Sequence, residues 1–172
     1  MRSLHSIMIK FMVASFLLLV LSNCSPTQTT PTPDVIWKID VAKYEVKDSL
    51  SSVESVTQYN GNVTKENHQQ SPDNGDVYLI MDVTVSKTGD QSAPFDWKYL
   101  AIEDASGNTY PRLDNDTFLE QYQYTPRITG LELRLGESSG WMCYEIPASA
   151  AKGKLTLTYT GEGSQQQIVL QQ

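Results

Sequence analysis

Hydrophobic and polar positions alternate with a period of two over much of the chain, in short stretches set off by turn residues. Val77, Leu79, Met81, Val83 and Val85 alternate with Tyr78, Ile80, Asp82 and Thr84. Such alternation gives each set its own face of a strand, and a second face that is itself partly apolar marks a strand covered on both sides. A central strand is predicted here, ended by Lys87-Thr88-Gly89-Asp90. Earlier, Trp37, Ile39 and Val41 alternate with Lys38, Asp40 and Ala42, giving a first strand with one apolar face. Leu100 and Ile102 begin another, which runs into Asp104-Ala105-Ser106-Gly107-Asn108-Thr109-Tyr110. The Asp104 side chain can cap that turn, and either Gly107 or Asn108 can supply a positive φ. Leu131, Leu133 and Leu135 alternate with Glu132 and Arg134, while Leu155, Leu157 and Tyr159 precede Ile168 and Leu170 in a closing hairpin across Gly161-Glu162-Gly163-Ser164.

Gly136-Glu137-Ser138-Ser139-Gly140 reads as a short polar turn. After it Met142, Tyr144 and Ile146 alternate with Trp141, Cys143 and Glu145 until Pro147, which cannot donate to a sheet ladder. Met142, Tyr144 and Ile146 are expected to point inward and Glu145 outward. Residues 47–75 are least patterned: Asn60-Gly61 and Ser71-Pro72-Asp73-Asn74-Gly75 are turn signals in a polar segment. A long loop is expected there, interrupted at most by one short strand around Val53 and Val56. About seven short strands separated by turns give an all-β protein, a β-sandwich.

The first two dozen residues follow a different rule. Arg2 and Lys10 supply positive charge ahead of the apolar run Phe11 to Leu21, which has signal-peptide length and is short for a membrane span. It ends in Leu21-Ser22-Asn23-Cys24, which resembles the lipobox of bacterial lipoproteins, with Asn23 where that pattern prefers a smaller residue. The resemblance implies a lipoprotein signal peptide over 1–23 and a lipid on Cys24, and so a protein anchored at the cell envelope and facing outside the cytoplasm. An ordinary secretory signal, which would release the protein, and an uncleaved anchor are the alternatives. Residues 24–33, rich in Thr and Pro, read as a flexible tether, and residues 34–172 as the domain.

Charge and cysteines narrow the partners. The chain of 172 residues has 13 basic and 20 acidic residues, and removing 1–23 takes away two basic residues, leaving 11 − 20 = −9. Such a surface repels phosphate backbones and anionic headgroups, so nucleic acid is excluded and membrane contact is left to the lipid. The two cysteines are Cys24 and Cys143. With Cys24 lipidated, Cys143 is expected to be a small unreactive residue in or beside a strand; without the lipid, a Cys24–Cys143 disulfide becomes available.

The order of elements resembles a known family. The pieces are Gly75 with an aliphatic strand ending in Thr88-Gly89; Leu100-x-Ile102-x-Asp104-x-x-Gly107-x-x-Tyr110; Leu135-Gly136-Glu137; Gly140-x-Met142-x-Tyr144-x-Ile146-Pro147; and Leu157-x-Tyr159. They are similar to bacterial lipoprotein and secreted domains of unknown function with an immunoglobulin-like fold, related to mycobacterial immunoprotective extracellular proteins. Lys87 stands where that family usually has Asn, and Tyr144 where Phe is commoner. The resemblance implies an immunoglobulin-like sandwich outside the cytoplasm, and it brings no catalytic residues.

Candidate chemistry is sparse. Gly136-Glu137-Ser138-Ser139-Gly140 satisfies G-x-S-x-G, but a nucleophile elbow needs strand, turn and helix, whereas a strand follows here. Asp114-Asn115-Asp116, and Asp73 with Asp76, offer oxygen ligands without the spacing of a calcium loop, and are expected to be solvated turns. No cofactor or metal is expected, and no catalysis; a hydrolase or accessory subunit using Ser138 or an acidic metal loop is the alternative. Two aromatic groups, Phe95, Trp97 and Tyr99, then Phe118, Tyr122 and Tyr124, either cover the open ends of the core or form a platform for an envelope protein or glycan. Tyr122 and Tyr124 are the candidate partner-binding residues.

Overall fold

The computed structural model describes residues 36–89, 93–130, 132–162 and 165–170. The segments read as signal peptide and tether, with Cys24, lie outside the described residues. The strands are β1 (Trp37–Lys47), β2 (Leu50–Thr57), β3 (Val63–Gln70), β4 (Asp76–Lys87), β5 (Phe95–Asp96), β6 (Leu100–Asp104), β7 (Thr109–Pro111), β8 (Glu132–Leu133), β9 (Glu137–Pro147), β10 (Leu155–Tyr159) and β11 (Gln166–Leu170). One sheet has the order β1-β4-β9 and the other β11-β10-β6-β7, seven strands in all, with β2-β3 and β5-β8 as separate two-stranded pieces.

The two larger sheets share one core, which makes the fold a β-sandwich. Val77, Leu79, Met81, Val83 and Val85 of β4 and Met142, Tyr144 and Ile146 of β9 are buried in the same cluster as Leu100, Ile102, Leu155, Leu157 and Tyr159 of the opposite sheet. The predicted inward faces of β4 and β9 are therefore correct, and they meet in register, Leu79 opposite Tyr144 and Met81 opposite Met142. Each such side chain taken out of water stabilises the fold by roughly 1.5–3 kcal/mol, which is why the period-two signal is strongest here. At one edge the Gln166 side chain replaces a strand pairing: it donates to the Trp37 carbonyl and accepts from Ile39 N at 3.3 Å. The Asp104 turn is also as expected, with Oδ1 accepting from Ser106 N at 2.8 Å and Asn108 N at 3.0 Å. Of the two candidates for positive φ, Gly107 takes it, at 83°.

Three expectations need correction. The segment read as a long loop is a regular hairpin, β2–β3, paired without a break from Leu50↔Gln70 to Thr57↔Val63. Its apolar residues lack a period because one of its faces is exposed, with no described residue covering it. Of the strand expected over 131–135, only Glu132–Leu133 pairs, with Phe95–Asp96, and Leu135 is exposed. The polar turn expected over 136–140 is mostly strand: Ser138 lies opposite Val85 and Ser139 opposite Thr84, so only Gly136, at φ 75°, does the turning. Gly140 is there for a different reason. It is buried, and a Cβ on it would sit 2.5 Å from the Pro126 carbonyl oxygen, so its missing side chain admits a neighbouring backbone.

Candidate functional site

The outer face of the β1-β4-β9 sheet is covered too, as the apolar second face of β4 anticipated. Tyr78 and Ile80 of β4 and Cys143 of β9 are buried there with Leu50 and Leu119, ringed by Leu113, Phe118, Tyr122, Tyr124 and Trp141. The cover is the connection from β7 to β8, which runs back along β9: Leu113 N donates to the Cys143 carbonyl and Ile128 N to that of Trp141. Burial pushes the Cys143 thiol far above its ordinary range, so it stays protonated and inert, as the sequence suggested.

Tyr122 and Tyr124 lie in this cover and are half-buried. The Tyr124 ring meets Trp141 edge to face at 4.9 Å, and its hydroxyl donates to Glu45 Oε2 at 3.2 Å. Burial, then the Glu45 charge, pushes the Tyr124 hydroxyl up to about 12. Glu45 is in turn held down at about 2 by bonds from Lys43 and Lys47. The other aromatic group divides: Phe95 and Trp97 are buried in the main core, Phe95 stacked on Tyr159 at 4.1 Å, whereas Tyr99 is exposed with Lys98 over its ring.

A buried ionic clamp locks the same connection, and it corrects the reading of Asp114-Asn115-Asp116 as a solvated turn. Asp114 and Asn115 are exposed, but Asp116 is 1% exposed. Its Oδ2 accepts from Arg112 Nε at 3.0 Å and Nη2 at 2.8 Å, and its Oδ1 accepts from Arg127 Nη1 at 2.8 Å. Arg112 Nη2 also donates to the Ile128 carbonyl at 2.6 Å, so the two ends of the connection are tied through one carboxylate. A carboxylate enters a protein interior only when its oxygens are met in this way, which burial requires and exposure does not. The sequence carried no firm signal for the clamp, because Arg112 and Asp116 stand four residues apart outside any helix and Arg127 comes near only through the fold.

Other candidates are not assembled into a site. Ser138 is inside β9, so G-x-S-x-G spans a strand here and forms no elbow. His68 lies on β3 beside Glu54, at 3.5 Å. Asp73 and Asp76 close a turn in which Asp76 N donates to the Asp73 carbonyl. Among the described residues no group of three or more His, Cys, Asp or Glu is placed to hold a metal.

Of the β2–β3 ribbon, sequence reasoning caught only a short strand around Val53 and Val56 and the Asn60-Gly61 turn, and missed β3 and the pairing. Ser51, Val53, Ser55 and Thr57 share a face with Val63, Lys65, Asn67 and Gln69, and all eight are exposed. Val53 and Val63 are each 63% exposed, and Tyr59 in the turn is fully so. The opposite face is half covered, through Leu50 in the outer cluster and a bond from Gln70 Nε2 to the Tyr78 hydroxyl at 3.3 Å.

A family model described as a domain of unknown function, DUF4352, matches residues 42–168. The chain belongs to this family. No curated protein matches the chain. Among solved structures, this DUF4352 protein is similar to a candidate lipoprotein of Bacillus subtilis, with 12% identity and a TM-score of 0.48 over 81% of this chain. It spans only 37% of that protein's length. An uncharacterized β-sandwich protein of Clostridium difficile gives 13% identity and a TM-score of 0.43, covering 79% of this chain and 86% of that one. A conserved hypothetical protein of Bacillus anthracis gives 18% identity and a TM-score of 0.39, covering 78% and 99%.

Proposed function

We propose that this DUF4352 protein is a noncatalytic binding module at the cell envelope, lipidated on Cys24, facing outside the cytoplasm and engaging an envelope protein. The observation that carries the binding role is the β2–β3 ribbon. Its β-forming face is wholly exposed, with Tyr59 and two valines in water, and among the described residues neither strand is paired into a larger sheet. Open strand edges offer backbone donors and acceptors to another polypeptide strand, which favours a protein over a glycan as the partner. Tyr122 and Tyr124, half-buried in the outer cluster, are the second candidate contact. The lipid anchor is supported by Leu21-Ser22-Asn23-Cys24 after an apolar run, and by an acidic chain that has no attraction of its own for anionic headgroups. Kinship with the mycobacterial extracellular proteins belongs to the same reading.

Two arms test it. Expressed with its signal in a bacterial host, the wild type should incorporate labelled palmitate and Cys24→Ala should not; an unlabelled wild type overturns the anchor. In capture from envelope extract, Tyr59→Ser with Val53→Ser and Val63→Ser should lose the partner held by the wild type. Capture that survives these changes and is lost with Tyr122→Ser and Tyr124→Ser instead would move the site off the ribbon.

A further inference from the structure

We infer that a groove beside the ionic clamp is a binding site for a ligand with a free carboxylate, such as the terminal carboxylate of a peptide. The inference goes beyond the anchor and the ribbon and rests on neither. Residues 96–98, 111–114 and 127–130 line a groove of about 510 Å³, within the range of small-molecule sites. Arg112 and Arg127 stand in its wall, only 13% and 16% exposed. Both are held by Asp116, a single carboxylate, so the buried set carries one positive charge in excess. Glu120 is the next acid, 3.5 Å from Arg127 Nε, but it is more than half exposed and solvent weakens its hold.

The donors available match the ligand. A guanidinium has five N–H groups; Arg112 uses Nε and Nη2 on Asp116 and Ile128, and Arg127 uses Nη1, which leaves Arg112 Nη1 and Arg127 Nη2 without a bond among the described residues. Arg127 Nε is buried without a hydrogen-bond partner. Fixed guanidiniums with unused N–H groups suit a carboxylate, because their orientation is already set before the ligand arrives. Pro111 and Leu113, which keep part of their surface open, give the groove an apolar lining for the rest of the ligand. A monoanion fits better than a phosphate dianion. Lys98 already pairs with Asp96 at 2.6 Å, and Asp114 adds a negative charge at the rim, so nothing balances a second charge.

The test titrates the full-length protein in detergent, at low salt, with N-acetyl-Ala-Ala as the free acid, with its C-terminal amide, and with inorganic phosphate. The free acid should bind at least tenfold more tightly than the amide or phosphate, and Arg127→Gln should remove that preference. Because Arg127 also serves the clamp, Thr129→Trp provides a second variant, filling the groove from an exposed lining position while leaving every clamp residue in place. It should keep the melting temperature and lose the acid. Equal binding of acid and amide, tighter binding of phosphate, no binding at about 10 mM, or full binding by Thr129→Trp would each overturn the inference.

Discussion

The hairpins β2–β3 and β10–β11 are both antiparallel and in unbroken register, over eight pairs in one and five in the other. Only the second is built into a sheet, with β10 also paired to β6. In β10–β11 register is enforced by burial: Leu155, Leu157 and Tyr159 enter the core, and a slip of one residue would send them to the opposite face. In β2–β3 the turn does that work. Gln58 N bonds to the Asn62 carbonyl at 2.7 Å, Gly61 N to that of Gln58 at 2.8 Å, and Asn62 N to Asn60 Oδ1 at 3.0 Å. A lone hairpin is marginal in water, so the ribbon belongs to the low-stability end of the molecule although its geometry is regular. Regular pairing and stability are separate properties here, and substitutions can pull them apart.

The largest effect should come from the core. Tyr144→Ala removes a wholly buried ring opposite Leu79 and should destabilise the fold by about 3 kcal/mol or more in urea unfolding. Its neighbour Glu145 points outward and accepts from Asp73 N at 2.6 Å, so Glu145→Ala should cost about 1 kcal/mol or less. Equal costs would mean that β9 presents its faces differently.

Gly140→Ala should come next, at about 2 kcal/mol. The added methyl must displace the Pro126 backbone, and residues with a φ of 149° seldom carry a side chain. The damage should fall on the connection over β9 first, exposing Trp141 to solvent before the core opens. Tryptophan fluorescence during urea unfolding reads this as an early red shift, absent from the wild type.

These two substitutions also mark what was legible in the sequence. The alternations of β4, β9, β10 and β11 were readable because water is excluded from one face, and burial writes its period into residue choice. Asp104 and Gly107 were readable because a turn's demands are local. Asp116 was not, since its burial depends on Arg127, eleven residues on and brought near only by the fold. Gly140 passed for a turn residue because close backbone approach and positive φ both select glycine. The ribbon was read only as one short strand and a turn because Val53, Val56 and Val63 obey no burial period when one face is open. Tyr122 and Tyr124 were recognised as a group, but their packing on the outer cluster depends on a connection whose path no local pattern prescribes.

Acid should act on the outer cover at a smaller scale. Glu45 is lowered from 4.5 to about 2 by Lys43 and Lys47, so it adds stability that is complete above its unfolded value. As the pH falls from about 4.5 towards 2 the unfolded chain takes up the proton first, and the contribution is lost. Glu45→Gln should cost below about 1 kcal/mol at neutral pH and flatten the stability profile in that window. An unchanged acid slope in the variant would show that Lys43 and Lys47 do not hold Glu45 down in the folded protein.

The smallest change in global stability should follow substitution of the ribbon. Val53→Ser with Val63→Ser leaves every hydrogen-bonded pair of β2–β3 possible and removes side chains that are already mostly in water. The urea midpoint should therefore stay within about 0.5 kcal/mol of the wild type. Local stability is a different matter, because the flanking valines are among the few apolar groups the ribbon can fold against itself. In hydrogen exchange the amides of Ser51–Thr57 should exchange well before those of Leu155–Tyr159 in the wild type, and earlier still in the double variant, with β10 unaffected. If ribbon and β10 amides exchange together, the two hairpins form one cooperative unit. The ribbon would then owe its order to the sandwich rather than to its turn.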